Sequence, residues 1–187
     1  MKYTKKQIEE AIKYWEGKLF ESERPEPAFE FYKGAQALES LSDAEIAEIA
    51  GLRRQLYEME KKTWLGVGVS IPTEEPCTEA GVRESLAESP YTVVARLDGK
   101  VVGFLLTSNE KYQFLMPGNV YLDEDCVDEN VRGLGIGTKM VAFAMKMCRA
   151  EGVRQFSASV DVTNAASERT LLKNGFKPIQ KEYVCSQ

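Results

Sequence analysis

A chain of 187 residues with 43% hydrophobic residues is long enough to bury one full core, and its 14 glycines and 7 prolines are too few for a disordered composition. The formal net charge of −5, with no basic cluster to replace counterions along a phosphate backbone, argues against a nucleic-acid partner. Histidine is absent, which excludes together the triads built on an imidazole base, Cys-His nucleophilic pairs and imidazole metal sites, and no metal site is expected.

Thr4-Lys-Lys-Gln7 reads as a capping box that opens an amphipathic helix to about Phe20, with Ile8, Ala11, Ile12, Trp15 and Leu19 on one face. The start of the chain lacks a signal-peptide apolar core and no run reaches the length of a membrane span, so a cytoplasmic protein with no membrane partner is expected. Glu21 to Pro27 reads as a linker and divides the chain into an N-terminal helix with its linker, residues 1–27, and a main domain, residues 28–187. The helix either packs on its own domain or serves homodimerisation or partner docking. Phe29-Glu-Phe-Tyr32 is a candidate short strand.

Ser42-Asp-Ala-Glu45 is a second capping box, opening a helix past Leu56 to about Lys62, followed by a loop from Gly66 to Pro76 and a shorter helix near Thr78 to Ala87. Thr92 to Leu97 and Lys100 to Leu106 are apolar runs flanking Asp98-Gly99, the strongest short hairpin signal available. Val120 to Val127 reads as a strand and carries the acids Asp123, Glu124 and Asp125. The four cysteines, Cys77, Cys126, Cys148 and Cys185, show no C-x-x-C spacing and read as buried free thiols.

The segment Val127-Asp-Glu-Asn-Val-Arg-Gly-Leu-Gly-Ile-Gly-Thr-Lys-Met140 comes next. Its alternating glycines, Gly133, Gly135 and Gly137, let the backbone bend sharply and approach a ligand, and the helix starting at about Gly137 aims unpaired N–H groups and a positive dipole end at an anion. The dinucleotide fingerprint G-x-G-x-x-G fails on spacing, and the nucleoside-triphosphatase loop fails because Thr138 and Lys139 stand in the wrong order. For these letters alone, a diphosphate cradle and a glycine-rich packing turn remain alternatives. Met140, Val141, Ala144, Met145 and Cys148 then recur at helical spacing up to a stop at Gly152, and Phe156, Ala158, Val160 and Val162 alternate as in a strand.

Arg132-x-x-Gly135-x-Gly137, preceded by Cys126-Val-Asp-Glu129, resembles the coenzyme A diphosphate loop of the GCN5-related N-acetyltransferase (GNAT) family. A second stretch, Asn164-Ala-Ala-Ser167 and onward to Gly175-Phe176, is similar to that family's second signature, and the resemblance covers roughly residues 91 to 180. It implies an α/β fold with a mixed, mostly antiparallel sheet flanked by helices, here with an N-terminal helical extension. It also implies direct transfer of an acetyl group from acetyl-CoA to the primary amine of a small molecule or peptide, and a strand beginning at Gly175-Phe176.

Carried onto this sequence, the resemblance implies that the Val127 amide bonds the thioester carbonyl and that Arg132, Gly133, Leu134, Gly135, Ile136, Gly137 and Thr138 hold the diphosphate. Asn164 and Ser167 fall beside the pantetheine arm, although helix capping explains Asn164 equally well. Arg53, Arg54, Tyr57, Glu58 and Trp64 fall on the wall that selects the acceptor, a placement that helix packing explains equally well for Tyr57 and Trp64. Strand alternation puts Asp123 and Asp125 on one face and Glu124 on the other, unless a bulge of the kind frequent in the family re-aims them. Asp125 is expected to be solvated, and Glu124 or Asp123 is the candidate base or holder of a cationic acceptor. Where many members carry a tyrosine as general acid, this chain has Leu171. A coenzyme A-binding protein without transfer activity and an interaction protein using the N-terminal helix are the competing readings.

Overall fold

The computed structural model describes residues 6, 9, 10, 12, 26–69, 77–109 and 118–179. The expected capping box at Thr4, most of the N-terminal helix and Cys185 lie outside them. The elements are β1 (Ala28–Lys33), α1 (Gln36–Ser40), α2 (Asp43–Gly66), α3 (Glu79–Glu88), β2 (Tyr91–Leu97), β3 (Lys100–Ser108), β4 (Asn119–Val127), a 3-10 turn (Glu129–Val131), α4 (Ile136–Ala150), β5 (Gln155–Ala158) and α5 (Ala165–Lys173).

The strands form one sheet in the order β1-β2-β3-β4-β5; the first three pairings are antiparallel and β4 with β5 is parallel. The β2–β3 connection is tight because Asp98 and Gly99 both take positive φ, 51° and 81°, the geometry that suits the twist of a two-residue hairpin. Helix α2 begins where Ser42 and Glu45 bond reciprocally in the capping box, and it runs to Gly66, one turn beyond the expected end. Thr78 caps α3 through its side chain, which accepts from the Gly81 amide.

Both faces of the sheet are covered, which is why β2 and β3 read as continuous apolar runs rather than alternating ones. Val94, Val101, Phe104, Leu106 and Cys126 pack against Ala37, Ile46, Ile49, Leu52, Val82 and Leu86 of α1, α2 and α3. On the other face Val93, Ala95, Val102, Leu105 and Leu122 pack against Ile136, Met140, Val141, Ala144 and Met145 of α4. Arg96 fastens β1 and β2 to the start of α2, with Nη1 2.6 Å from Glu30 Oε2 and Nη2 2.5 Å from Glu45 Oε1.

Two expectations need correction. The strand after α4 stops at Ala158, and Val162 is 94% exposed, so the apolar alternation through Val160 and Val162 does not continue the sheet. Residues 176–179, following Gly175, form no strand. The first has its cause in the neighbouring strands. Pairing of β4 with β5 ends at Leu122 and Ala158, next to a break in the β3–β4 register that leaves Asp123 as an extra residue on β4, so the chain past Ala158 has no partner strand to follow.

Candidate active site

Beyond Leu122 and Ala158 the two parallel strands part, while β4 continues to Val127. The gap is lined by residues 123–127 on one side and by the segment leading to α5 on the other. Its backbone polarity follows from the ladder. The Asp128 amide donates to the Val102 carbonyl at 2.9 Å, so by antiparallel alternation the Val127 N–H and C=O point away from β3, toward the gap. The Val127 carbonyl accepts from Arg132 Nε at 2.9 Å, which ties the glycine loop to the end of the strand. Close approach of β3 to this point requires Gly103, where an added Cβ would lie 3.0 Å from the Cys126 carbonyl oxygen.

The glycine loop then delivers the start of α4. Gly133 and Gly135 sit in the left-handed region at φ 83° and 79°, which side-chain-bearing residues rarely adopt, and a Cβ at either would meet nothing within 4 Å. The loop is therefore an open cradle. Gly135 is the N-cap of α4 and contributes no side-chain bond, and the first turn holds no acid, so the amides of Ile136, Gly137 and Thr138 and the positive end of the helix dipole face this cradle without a competing anion. Arg132 is exposed beside it. These features suit a diphosphate. Gly137 lies between Val127 Cγ2 and Thr170 Oγ1, while Thr138 and Thr170 approach at 3.5 Å and Asn174 Nδ2 donates to both the Thr138 and Thr170 carbonyls, joining α4 to α5. Asn164 caps α5 by accepting from the Ser167 amide at 3.0 Å, so the capping explanation holds for this pair.

The acids of β4 are separated by the bulge. Glu124 pairs with Leu106 and faces α2; Asp125 pairs with Leu105 and faces α4, as Val127 does; Asp123 is the extra, exposed residue between Leu122 and Glu124. Glu124 is gripped by Arg53, whose Nε donates to Oε2 at 2.8 Å and whose Nη2 contacts Oε1; the same Nη2 donates to Ser85 Oγ at 2.7 Å. Asp125 departs from the solvated expectation: burial raises the pKa of its carboxyl. Cys126 is no nucleophile in this setting. Burial pushes its thiol up to about 11, and Sγ donates to the Leu52 carbonyl at 3.3 Å.

Two acids that sequence reasoning passed over join them. Glu60 on α2 has its pKa raised, first by desolvation and then by the negative charges of Asp161, Glu124 and Asp125. The readable signal was the spacing Arg53, Tyr57, Glu60, which is one stripe of a helix. The C-terminal part of α2 also reaches across to the segment after β5, where Thr63 and Thr163 hydroxyls meet at 2.9 Å. Tyr57 is half-buried, whereas Arg54, Glu58 and Trp64 are exposed on the same helix. Cys77, Cys126 and Cys148 are buried and in no disulfide, which agrees with the thiol reading. Among the described residues no acidic or cysteine cluster is arranged as a metal site, and no helix is long and apolar enough to cross a membrane.

The chain belongs to the acetyltransferase (GNAT) family, whose model matches residues 53–176, more than half of its length. It is accordingly an acetyl-CoA-dependent N-acetyltransferase, with acetyl-CoA as co-substrate. Solved structures share the fold at low identity. The aminoglycoside N-acetyltransferase AAC(6')-Iy in complex with CoA is 18% identical with a TM-score of 0.59, over 88% of this chain and 96% of that one. A ribosomal-protein-alanine N-acetyltransferase from Brucella melitensis biovar Abortus 2308 is 13% identical with a TM-score of 0.58, over 87% and 100%. The PaiA N-acetyltransferase from Thermoplasma acidophilum, in complex with coenzyme A, is 17% identical with a TM-score of 0.59, over 83% and 93%. A search of curated protein sequences finds no match.

Proposed function

We propose that residues 28–187 move an acetyl group directly from acetyl-CoA to a primary amine of a small molecule or peptide. The observation that carries this reading is the joining of three features within a few residues: a strand gap, the Val127 amide aimed into it, and an open glycine cradle at the start of α4. Acetyl-CoA, when bound, supplies an activated acetyl thioester. Residues Arg132 to Thr138 offer backbone amides to its diphosphate, with Asn164 and Ser167 bordering the opposite side of the gap. The Val127 amide donates to the thioester carbonyl as that oxygen gains negative charge, which stabilises the transition state more than the ground state. The acids around the gap favour an acceptor that arrives as a cation.

An alkyl amine with a pKa near 10.4 is almost wholly protonated at pH 7, and freeing its lone pair costs roughly 4 to 5 kcal/mol. A carboxylate near the gap therefore has work to do, while departure of a thiolate with a cysteine-like pKa near 8.5 is only about 2 kcal/mol uphill. That difference accommodates Leu171 at the position of the general-acid tyrosine found in many family members. Thermal stabilisation by acetyl-CoA, followed by thiol release over amines, amino acids, polyamines, aminoglycosides and peptides, tests the reading. Release with at least one amine is expected. Tight binding of acetyl-CoA without transfer to any of them would instead identify a coenzyme A-binding protein, the reading that Leu171 otherwise favours.

A further inference from the structure

Between the Val127 amide and the first cradle glycine, Gly133, the chain makes a small braced turn. Asp128 caps it, accepting from the Asn130 amide at 2.9 Å and from Asn130 Nδ2 at 2.8 Å, and the Val131 amide donates back to the Asp128 carbonyl at 3.0 Å. Arg132 Nε closes the unit on the Val127 carbonyl. With these internal bonds residues 127–132 move as one body, so whatever fixes the turn fixes both the amide before it and the cradle after it.

Among the described residues, two hydrogen bonds tie Asp128 and Glu129 to the rest of the domain. The Asp128 amide donates to the Val102 carbonyl of β3, and the Glu129 amide donates to Oε1 of the half-buried Gln55 on α2 at 3.1 Å. A body held at one point pivots about it; the second point removes that freedom. The Glu129 amide is also the first of the 3-10 turn, a donor with no partner inside the turn itself, so Gln55 supplies from another element the bond that a helix start lacks. The other end of the same carboxamide stands beside the Asp128 carboxyl. That carboxyl is held below the ordinary carboxylate range by the Asn130 amide foremost, then by the Asn130 side chain, Lys100 and Gln55, against the opposing effect of desolvation.

Its neighbours on α2 make contacts of another kind. The Leu52 carbonyl takes the Cys126 thiol and Arg53 grips Glu124, both on β4 before Val127. Gln55 reaches past Val127 to the turn. Through Thr63 and Thr163 the same helix also meets the segment after β5, so α2 touches both sides of the gap.

We infer that Gln55 is a positioning residue for acetyl transfer: from α2 it fixes the turn that carries the thioester-holding Val127 amide on one side and the diphosphate cradle on the other. The inference rests on the acetyl-transfer reading above. Gln55 makes and breaks no covalent bond in the reaction and acts through the backbone it holds. Hydrogen bonds weaken steeply with misalignment, so a small rotation of the turn costs the bond to the thioester oxygen more than it costs the fold.

The test uses the full chain, Gln55→Leu, Gln55→Glu, and the double variant Gln55→Glu with Asp128→Asn. Calorimetry gives acetyl-CoA affinity, thiol release with butylamine or the best amine of the screen gives kcat and KM, and thermal melting follows the fold. Amide hydrogen exchange by NMR reads Glu129 with no ligand present. Gln55→Leu keeps the bulk and loses the acceptor atom. It is expected to melt near wild type, to exchange the Glu129 amide about tenfold faster, to bind acetyl-CoA about tenfold more weakly and to lose about tenfold in kcat at an unchanged amine KM.

Gln55→Glu keeps an acceptor for the Glu129 amide but sets a second carboxylate against Asp128, and a similar loss is expected. Adding Asp128→Asn exchanges the two groups: an amide again faces a carboxylate, and the Asn130 amide still finds an oxygen. Exchange, affinity and kcat are then expected to return to within about threefold of wild type, a recovery that packing alone does not predict. The inference is overturned if Gln55→Leu binds acetyl-CoA and turns over within about twofold of wild type, or if the double variant stays as impaired as Gln55→Glu. Absence of transfer by the wild type to every amine reads differently: it overturns the transfer reading, and a role for Gln55 in transfer with it, even where affinity and exchange respond as expected.

Discussion

The glycine loop and the acidic end of β4 lie next to each other, yet they acquire their chemistry by different routes. The loop works through backbone: positive φ at Gly133 and Gly135 and the uncapped start of α4 are local consequences of residue type. The acids work through side-chain direction, and that direction is set by a single extra residue in the pairing of β4 with β3. A backbone site can be read from a dozen consecutive letters. A side-chain site on a bulged strand depends on what the neighbouring strand and helices do, so the same letters allow several arrangements.

The strongest way to break the comparison is to damage the loop alone. Gly135→Glu places bulk and negative charge where the diphosphate would lie and forces a side chain into φ 79°, so acetyl-CoA binding, expected in the micromolar range for the wild type, is expected to weaken beyond detection. Gly135→Ala meets open space and adds only backbone strain, about 1–2 kcal/mol, or roughly a tenfold loss of affinity. Calorimetry on folded variants checks both. Unaltered binding by Gly135→Glu would remove the loop from the cofactor site.

A change in the scaffold under both regions should affect them equally. Arg96 and Ser42 hold the Glu45 carboxyl down at about 2, well below its ordinary value of 4.5. Because the folded pKa is the lower one, this stabilisation is fully present above about 4.5 and is lost as pH falls toward about 2. Glu45→Gln is expected to cost up to about 3 kcal/mol at pH 7 and almost nothing near pH 2, as judged by denaturant titration at the two pH values. An equal cost at both would assign the loss to packing instead of charge.

Breaking the Arg53–Glu124 pair sharpens the comparison from the acidic side. The side chains are 15% and 25% exposed, so the cost of Glu124→Gln should fall below the several kcal/mol of a fully buried pair, at roughly 1–3 kcal/mol. Acetyl-CoA affinity should stay at its wild-type value, since the loop does not depend on this pair. A large loss of affinity would show that the two regions are coupled.

The fold and the loop were legible because their signals are local. Ser42 and Glu45, Asp98-Gly99 and Gly133 to Gly137 each dictate a backbone conformation that no distant contact overrides. The acids were not legible to the same degree. Alternation separates Glu124 from Asp125 but pairs Asp123 with Asp125, and only the β3 register shows that the bulge takes Asp123 out of the pairing, as only the packing of α2 shows that Glu124 meets Arg53. Glu60 and Asp161 come from segments a hundred residues apart, brought near each other where α2 meets the chain after β5 through Thr63 and Thr163. The end of β5 at Ala158 had the same non-local origin, because the alternation of Val160 and Val162 says nothing about whether a partner strand is still there.

The smallest expected effect concerns Leu171 on α5, which packs half-buried against the cluster under α4, in place of the tyrosine used elsewhere as a general acid. With thiolate departure only about 2 kcal/mol uphill at pH 7 and amine deprotonation roughly twice that, a proton donor at this position can remove only part of the smaller barrier. Leu171→Tyr is therefore expected to change turnover by less than about tenfold with any acceptor the screen identifies, provided thermal melting shows that the ring is accommodated. Leu171→Ala should keep activity to the extent that the fold survives a partly buried truncation. A gain of several orders of magnitude from the tyrosine would reverse that ranking and make thiolate departure, not amine deprotonation, the step this chain leaves uncatalysed.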